Sequence, residues 1–376
     1  MSAKKKQAAG AKKRPPKRRA APRPKAAERV QPANDRSLEN KTVLVTGGAG
    51  FIGSNFIRYF LDRYPRTRVI NLDKLTYAGN LDNLKDLEND PRYEFIRADI
   101  RDKDAVAGVM GRVQGVVHFA AETHVDRSIQ DAGEFVLTDV HGTWVLLEAL
   151  RRAPQVEFFL YVSTDEVYGS RDKGFFNEAD PLNPSSPYSA SKAGADRMVY
   201  AYGVTYGVPV FIIRPSNNFG PYQYPEKFIP LFVTNALEGK DLPLYGKGEN
   251  VRDWLFVEDC CRAVETLVLR GKPGEVYNAG ANHEVKNIVI AERILSLLGK
   301  PKSLIKFVPD RLGHDRRYAL DCKKIHRLGW KPGKAFDSQL ERTVRWYREN
   351  ETWWRKIKER SQDFRAFYDS YYKDRK

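Results

Sequence analysis

The sequence predicts an α/β protein, a doubly wound parallel sheet followed by a smaller C-terminal α/β region. Three observations carry that reading. Short apolar runs alternate with helical patterns from Thr42 to beyond Val162, and a glycine-rich turn joins the first run to the first helix. The later runs end in small or polar residues, as strands do where an open sheet presents its carboxyl ends to a ligand.

Taken in order, Thr42–Val45 is the first strand, and a helical pattern runs through Ser54–Tyr64. Between them lies TGGAGFIG, with Gly47, Gly50 and Gly53 spaced G-x-x-G-x-x-G. Side chains at such a turn would hold the backbone N–H groups away from a pyrophosphate facing the helix N-terminus. Gly47, Gly50, Phe51, Ile52 and Gly53 are therefore candidate dinucleotide-binding residues. The second strand, Arg68–Leu72, ends in Asp73, 20 residues beyond Gly53. An acid there accepts hydrogen bonds from the adenosine ribose and repels a 2′-phosphate, which favours NAD over NADP. The sheet is thus of the Rossmann type.

Glu94–Ile96 reads as a strand leading to Asp99 and Ile100, placed to contact the adenine. Gly115–Phe119 is the next, ending in Ala120, Ala121 and Glu122; its alanines let a cofactor approach the backbone. A helix is expected over Val136–Ala149. Glu157–Val162 is a strand ending in Ser163-Thr164-Asp165-Glu166, a polar cluster where such sheets bind ligands. Downstream, Tyr188-Ser-Ala-Ser-Lys192 puts Tyr188 and Lys192 on one helix face, where the ammonium is expected to lower the phenol's pKa.

Composition sets the outer bounds. Of 376 residues 41% are hydrophobic, enough for a sizeable core. The net charge of +16 is concentrated: residues 1–36 hold thirteen Lys/Arg against two acids, or +11, and the remaining 340 carry +5. Residues 1–40 are expected to be a disordered basic tail. It reads either as an electrostatic contact for nucleic acid or anionic lipid, or as a solvated extension with no specific partner. The three cysteines form no disulfide framework or metal spacing, which fits a reducing, cytoplasmic setting. No metal site is expected, and His118 and His124 read as packing and local hydrogen-bonding residues. No apolar run approaches a membrane span.

TGGAGFIG, STDEVYG and YSASK together resemble the extended short-chain dehydrogenase/reductases, and within them the nucleoside-diphosphate-hexose 4,6-dehydratases. AAETHVDRS, RPSNNFGPYQYPEKFIP, VRDWLFVEDC and RLGHDRRYALD extend the likeness over roughly residues 41 to 350. The resemblance implies residues 41–214 as mainly the NAD-binding region. Residues 215–376 are then mainly nucleotide-sugar-binding, with segments returning to the sheet. It implies a hydro-lyase of deoxysugar biosynthesis acting on a nucleotide sugar, dTDP-glucose foremost, and a homodimer through helices near Asp131–Ala149 and Ser189–Tyr206.

By the same resemblance, Thr164, Asp165, Glu166, Tyr188 and Lys192 are catalytic, while Ser163, Ala120 and Ala121 join the cofactor set. Tyr188 with Lys192 takes the 4-hydroxyl proton as NAD takes the C4 hydride. Oxidation at C4 makes the C5 proton removable, so Glu166 serves as base and Asp165, protonated, as acid to the leaving 6-hydroxyl. Glu122, Asn217, Lys227 and Tyr245 fall in the substrate set. So do Arg252, Asn287, Arg311 and His314, with His314 equally readable as a structural partner of Asp315. One departure is Asp139, where such chains commonly carry Asn; it is read as touching no catalytic position. The alternatives are a UDP-sugar 4-epimerase or decarboxylase on the same scaffold, and an NAD-binding redox sensor attached to nucleic acid by the tail.

Overall fold

Alternating apolar residues in the first strand feed two separate cores, which is what a sheet covered on both faces requires. In β1 (Thr42–Thr46), Val43 and Val45 pack in one core and Leu44 in the other. The computed structural model describes Ser2, residues 36–310 and residues 315–360. The described residues from 36 to 360 belong to one compact unit. The expectation for the tail therefore lies, apart from Ser2 and residues 36–40, outside the described residues.

The strands that follow are β2 (Arg68–Asp73), β3 (Tyr93–Arg97), β4 (Gly115–His118), β5 (Phe158–Val162) and β6 (Val210–Pro215). Next come β7 (Asn217–Phe219), β8 (Leu242–Tyr245), β9 (Val251–Phe256), β10 (Val276–Ala279), β11 (Glu284–Lys286) and β12 (Ile305–Val308). Seven of them form one all-parallel sheet in the order β10-β6-β5-β4-β1-β2-β3. The order reverses between β1 and β4, and a crevice opens there at the carboxyl ends. A second layer pairs β11-β9-β7 and β12-β8 around Phe219, Phe232, Trp254 and Trp354.

Two helices fix the site. Phe51–Arg63 begins three residues before the expected Ser54, directly on the glycine turn. The long helix Pro187–Tyr206 starts where the sequence dictates: Ser186 and Ser189 cap each other, Pro187 takes the first turn, and Gly207 closes it at φ +67°.

The expected helix over Val136–Ala149 is not regular. Its first half, Val136–Gly142, is a π-turn, and the α-helix resumes over Thr143–Leu150. Asp139 lies buried within this π segment, where its carboxylate accepts hydrogen bonds from the loop after β4 and from the helix Pro187–Tyr206.

Candidate active site

At the N-terminus of the helix Phe51–Arg63, the turn has no room for side chains. A Cβ on Gly47 would lie 2.6 Å from the Ala120 nitrogen, and one on Gly53 would lie 2.3 Å from the Gly47 carbonyl. Gly50 precedes the helix without a side-chain cap, and no acid occupies the first turn. The exposed N–H groups suit an anion. Asp73, at the end of β2, braces the turn: its Oδ2 accepts from Ala49 N–H at 2.9 Å and its Oδ1 from Leu75 N–H at 2.8 Å.

All the residues expected to bind the cofactor line one cleft, from Gly47, Gly50, Phe51, Ile52 and Gly53 through Asp73, Asp99, Ile100, Ala120 and Ala121 to Ser163, Tyr188 and Lys192. Buried Ser163 Oγ, on its wall, has no partner among the described residues. A cradle closed to side chains, a carboxylate at the ribose position and this orphaned hydroxyl fit NAD. Glu122, expected with the substrate, stands in this same cleft. Burial first, then Asp139 and Glu134, raise its pKa to about 7.

A second cleft abuts the first, lined by Glu166, Asn217, Lys227, Tyr245, Arg252 and Asn287. Lys227 borders both. Asn217 Oδ1 and Asn287 Oδ1 are buried without partners among the described residues, as polar atoms are where a ligand supplies the bond. Arg252 lies over the Tyr318 ring and donates to the carbonyls of Val251 and Asp315, each at 2.9 Å, so its fork is half committed. Tyr245 reaches Asp126 Oδ2 at 3.3 Å. Arg311 and His314 lie outside the described residues. Sequence reasoning missed Gln223 and Glu226, which border both clefts. They sit in the quoted PYQYPEKFIP stretch, whose Gln and Glu have no spacing signal of their own.

Where the clefts meet, the strand end of β5 breaks into a short 3₁₀ turn, Asp165–Tyr168. Thr164 donates to Asp165 Oδ1 at 3.3 Å and accepts from Glu166 N–H at the same distance. Asp165 is buried and its Oδ2 has no partner among the described residues; Glu166 is half-buried and open to the second cleft. Burial, then Glu166 and Asp253, hold the Asp165 carboxyl well above the usual carboxylate range. The adjacent acids thus occupy unlike surroundings, one favouring its proton.

The expected lowering of the Tyr188 pKa does not occur. Burial, with the Glu166 and Asp139 carboxylates, pushes the phenol well up, outweighing the Thr164 hydrogen bond that opposes them. The local i, i+4 spacing left these longer-range charges out. Lys192 instead donates to Val162 O at 2.8 Å and lies 4.4 Å from the centre of the Tyr161 ring. Burial drops its pKa to about 8, against the pull of Asp139 and Asp196. Asp139, read as remote from any catalytic position, is 1% exposed and bonds to Ser191, next to Lys192. His118 engages both ring nitrogens with the hydroxyls of Thr46 and Thr143.

A family model described as GDP-mannose 4,6 dehydratase matches residues 44–343. A dTDP-glucose 4,6-dehydratase from Actinoplanes is 50% identical over 318 residues, 83% of this chain and 99% of that one. Among solved structures, the dTDP-glucose 4,6-dehydratase DesIV from Streptomyces venezuelae, with NAD and TYD bound, is similar at 51% identity and a TM-score of 0.82. That match covers 84% of this chain and 99% of the other. A UDP-glucose 4-epimerase from Thermotoga maritima is similar at 29% identity and a TM-score of 0.77, over 82% and 99% of the two chains.

Proposed function

The chain belongs to the family described as GDP-mannose 4,6 dehydratase, and on that premise we propose that it converts dTDP-glucose to dTDP-4-keto-6-deoxyglucose and water. The observation that carries this reading is the unlike burial of Asp165 and Glu166 at one strand end. Elimination across C5 and C6 needs an acid and a base at once, whereas 4-epimerisation moves only a hydride and the 4-hydroxyl proton. The high identity to dTDP-glucose 4,6-dehydratases supports this substrate over a UDP-sugar.

Bound NAD would supply the hydride acceptor for C4 and, once reduced, the hydride donor for C6. Gly47, Gly50 and Gly53 would give its pyrophosphate access to backbone N–H groups, and Asp73 would hold its ribose. Tyr188 accepts the 4-hydroxyl proton as the phenolate, and Thr164 and Ser163 fix the 4-oxygen. Burial disfavours the phenolate, which the Lys192 ammonium and the positive nicotinamide ring would favour. Glu166 removes the C5 proton made acidic by the 4-ketone and returns a proton to C5 when the hydride reaches C6. Asp165 holds its proton in its buried setting and delivers it to the departing 6-hydroxyl. Asn217, Lys227, Tyr245, Arg252 and Asn287 hold the nucleotide diphosphate. In this reading residues 41–214 mainly carry the cofactor and 215–376 mainly the nucleotide sugar.

The test is a pair of substitutions read by bound NADH absorbance and by product. Glu166→Gln should accumulate bound NADH with product formation lower by about 10²–10⁴-fold. Asp165→Asn should lose water elimination while keeping part of the C5 hydrogen exchange with solvent. Near wild-type dehydration in both would overturn the assignment.

Two further parts of the reading concern partners. Val136, Leu137, Tyr200 and Val204 are exposed apolar residues on the segments Val136–Gly142 and Pro187–Tyr206, and they support a homodimer through that face. A monomeric mass at micromolar concentration would sink it. The tail is an appendage to catalysis: deleting residues 1–36 should leave turnover nearly unchanged while abolishing salt-sensitive retention on anionic surfaces. Among the described residues no helix is long and apolar enough to cross a membrane.

A further inference from the structure

Two opposite charges lie buried on either side of Ser191, and neither is neutralised by a direct ionic contact among the described residues. Asp139 spends its oxygens on neutral donors: Oδ1 accepts from Glu122 N–H at 2.8 Å and Oδ2 from the Ser191 hydroxyl at 2.6 Å. Lys192, 3% exposed, donates to the Val162 carbonyl at 2.8 Å. Neutral partners alone rarely hold a buried charge; an opposite charge nearby makes the difference. We propose that Asp139 is the buried counter-charge of Lys192, a positioning residue that keeps the lysine ammonium charged beside Tyr188.

Among the described residues, the groups around Asp139 leave it as the anion suited to that role. From the helix Pro187–Tyr206, Tyr188, Lys192 and Asp196 face this region; from β5, Tyr161; and from the loop after β4, Glu122, with Glu134 beyond it. Asp196 also favours the ammonium, but Arg214 grips both of its oxygens at 2.8 Å. Glu122 is itself pushed towards its neutral form by Asp139. Burial raises Asp139 to about 6, and Lys192 is the main force opposing that rise. The two groups thus favour each other's charged forms.

The proposal rests on Tyr188 and Lys192 as the oxidising pair, and its test separates the two ideas. Asp139→Asn is isosteric, keeps an acceptor for Glu122 N–H and removes the charge, its amide then donating to the Ser191 hydroxyl oxygen. Ser191→Ala removes the hydroxyl bridge and keeps the charge. The titration of the Lys192 ε-carbon would be followed by NMR on the full chain with ¹³C-lysine, beside the pH profile of bound NADH formation. In Asp139→Asn the Lys192 midpoint should fall by about one unit or more, a roughly tenfold loss of proton affinity. In Ser191→Ala it should stay near the wild-type value. An unmoved midpoint in Asp139→Asn, or an equal fall in Ser191→Ala, would overturn the proposal. A fallen midpoint with an unmoved rate profile would uphold the counter-charge and overturn instead the part given to Lys192 in the reaction.

Discussion

Lys192 and Asp196 sit one turn apart on the same helix, both buried, and the fold treats them in opposite ways. Asp196 is gripped by Arg214 through two bonds of 2.8 Å, with Arg197 on its outer side. Arg214 in turn donates to Tyr168, which donates to Asn278, tying the helix to β6 and β10. Although burial opposes it, this network draws the Asp196 pKa below its ordinary value. Lys192 has a carbonyl and a ring face for close neighbours, and burial drops its pKa to about 8. A charge fully paired in place serves the fold. One left underpaired stays responsive to substrate, and it costs stability.

The largest expected effect breaks the reactive half of this comparison. Lys192→Met removes a strained buried charge, so bound NADH formation should fall by about 10²–10⁴-fold. The melting temperature should hold or rise, since the thioether fills the space of the lysine stem and Asp139 can take up a proton. A melting temperature several degrees lower, by calorimetry, would mean that Lys192 is a structural charge after all.

Asp196→Ala breaks the other half and should behave in reverse. It strands the 1%-exposed Arg214 guanidinium, at a cost of about 3–5 kcal/mol in unfolding free energy. The protein that remains folded should keep bound NADH formation within a few-fold of wild type. Denaturant unfolding and single-turnover absorbance on the same samples would separate the two losses. A selective collapse of the rate with unchanged stability would erase the distinction drawn between the two residues.

This contrast shows why part of the molecule was legible from sequence. The glycine turn, Asp73, the strand-end acids and the Tyr188/Lys192 pair are each local in the chain, and fixed spacing on a strand or helix places them without tertiary knowledge. The structure gathers that set into one cleft and its neighbour. The illegible part is long-range. Asp139 meets Ser191 across 52 positions, from within a π segment that no sequence period announces. Gln223 and Glu226 come to the site through a loop that Tyr347 holds from the far end of the chain, its hydroxyl donating to Gln223 O at 2.5 Å. The direction of the Tyr188 shift failed for the same reason: burial and the charges of Asp139 and Glu166 outweigh a neighbour at i+4.

The smallest expected effect sharpens the comparison through pH. For Asp196 the folded pKa lies below the unfolded one, about 3.9, so its stabilisation is complete above about pH 4 and lost only as pH falls through the lower folded value. Asp139 has the opposite sign. Its folded pKa of about 6 lies above the unfolded value, so ionised Asp139 costs stability above pH 6, and the cost fades as pH falls towards 4. The gap is roughly two units, on the order of 3 kcal/mol. Asp139→Asn lacks this term. Its unfolding free energy relative to wild type should therefore be most favourable at pH 7 and decline steadily between pH 6 and pH 4. Asp196→Asn should show a constant deficit over the same interval, narrowing only below it. Parallel curves for wild type and Asp139→Asn from pH 7 to 4 would show that Asp139 is paired as completely as Asp196, and the two ends of this helical turn would then be alike.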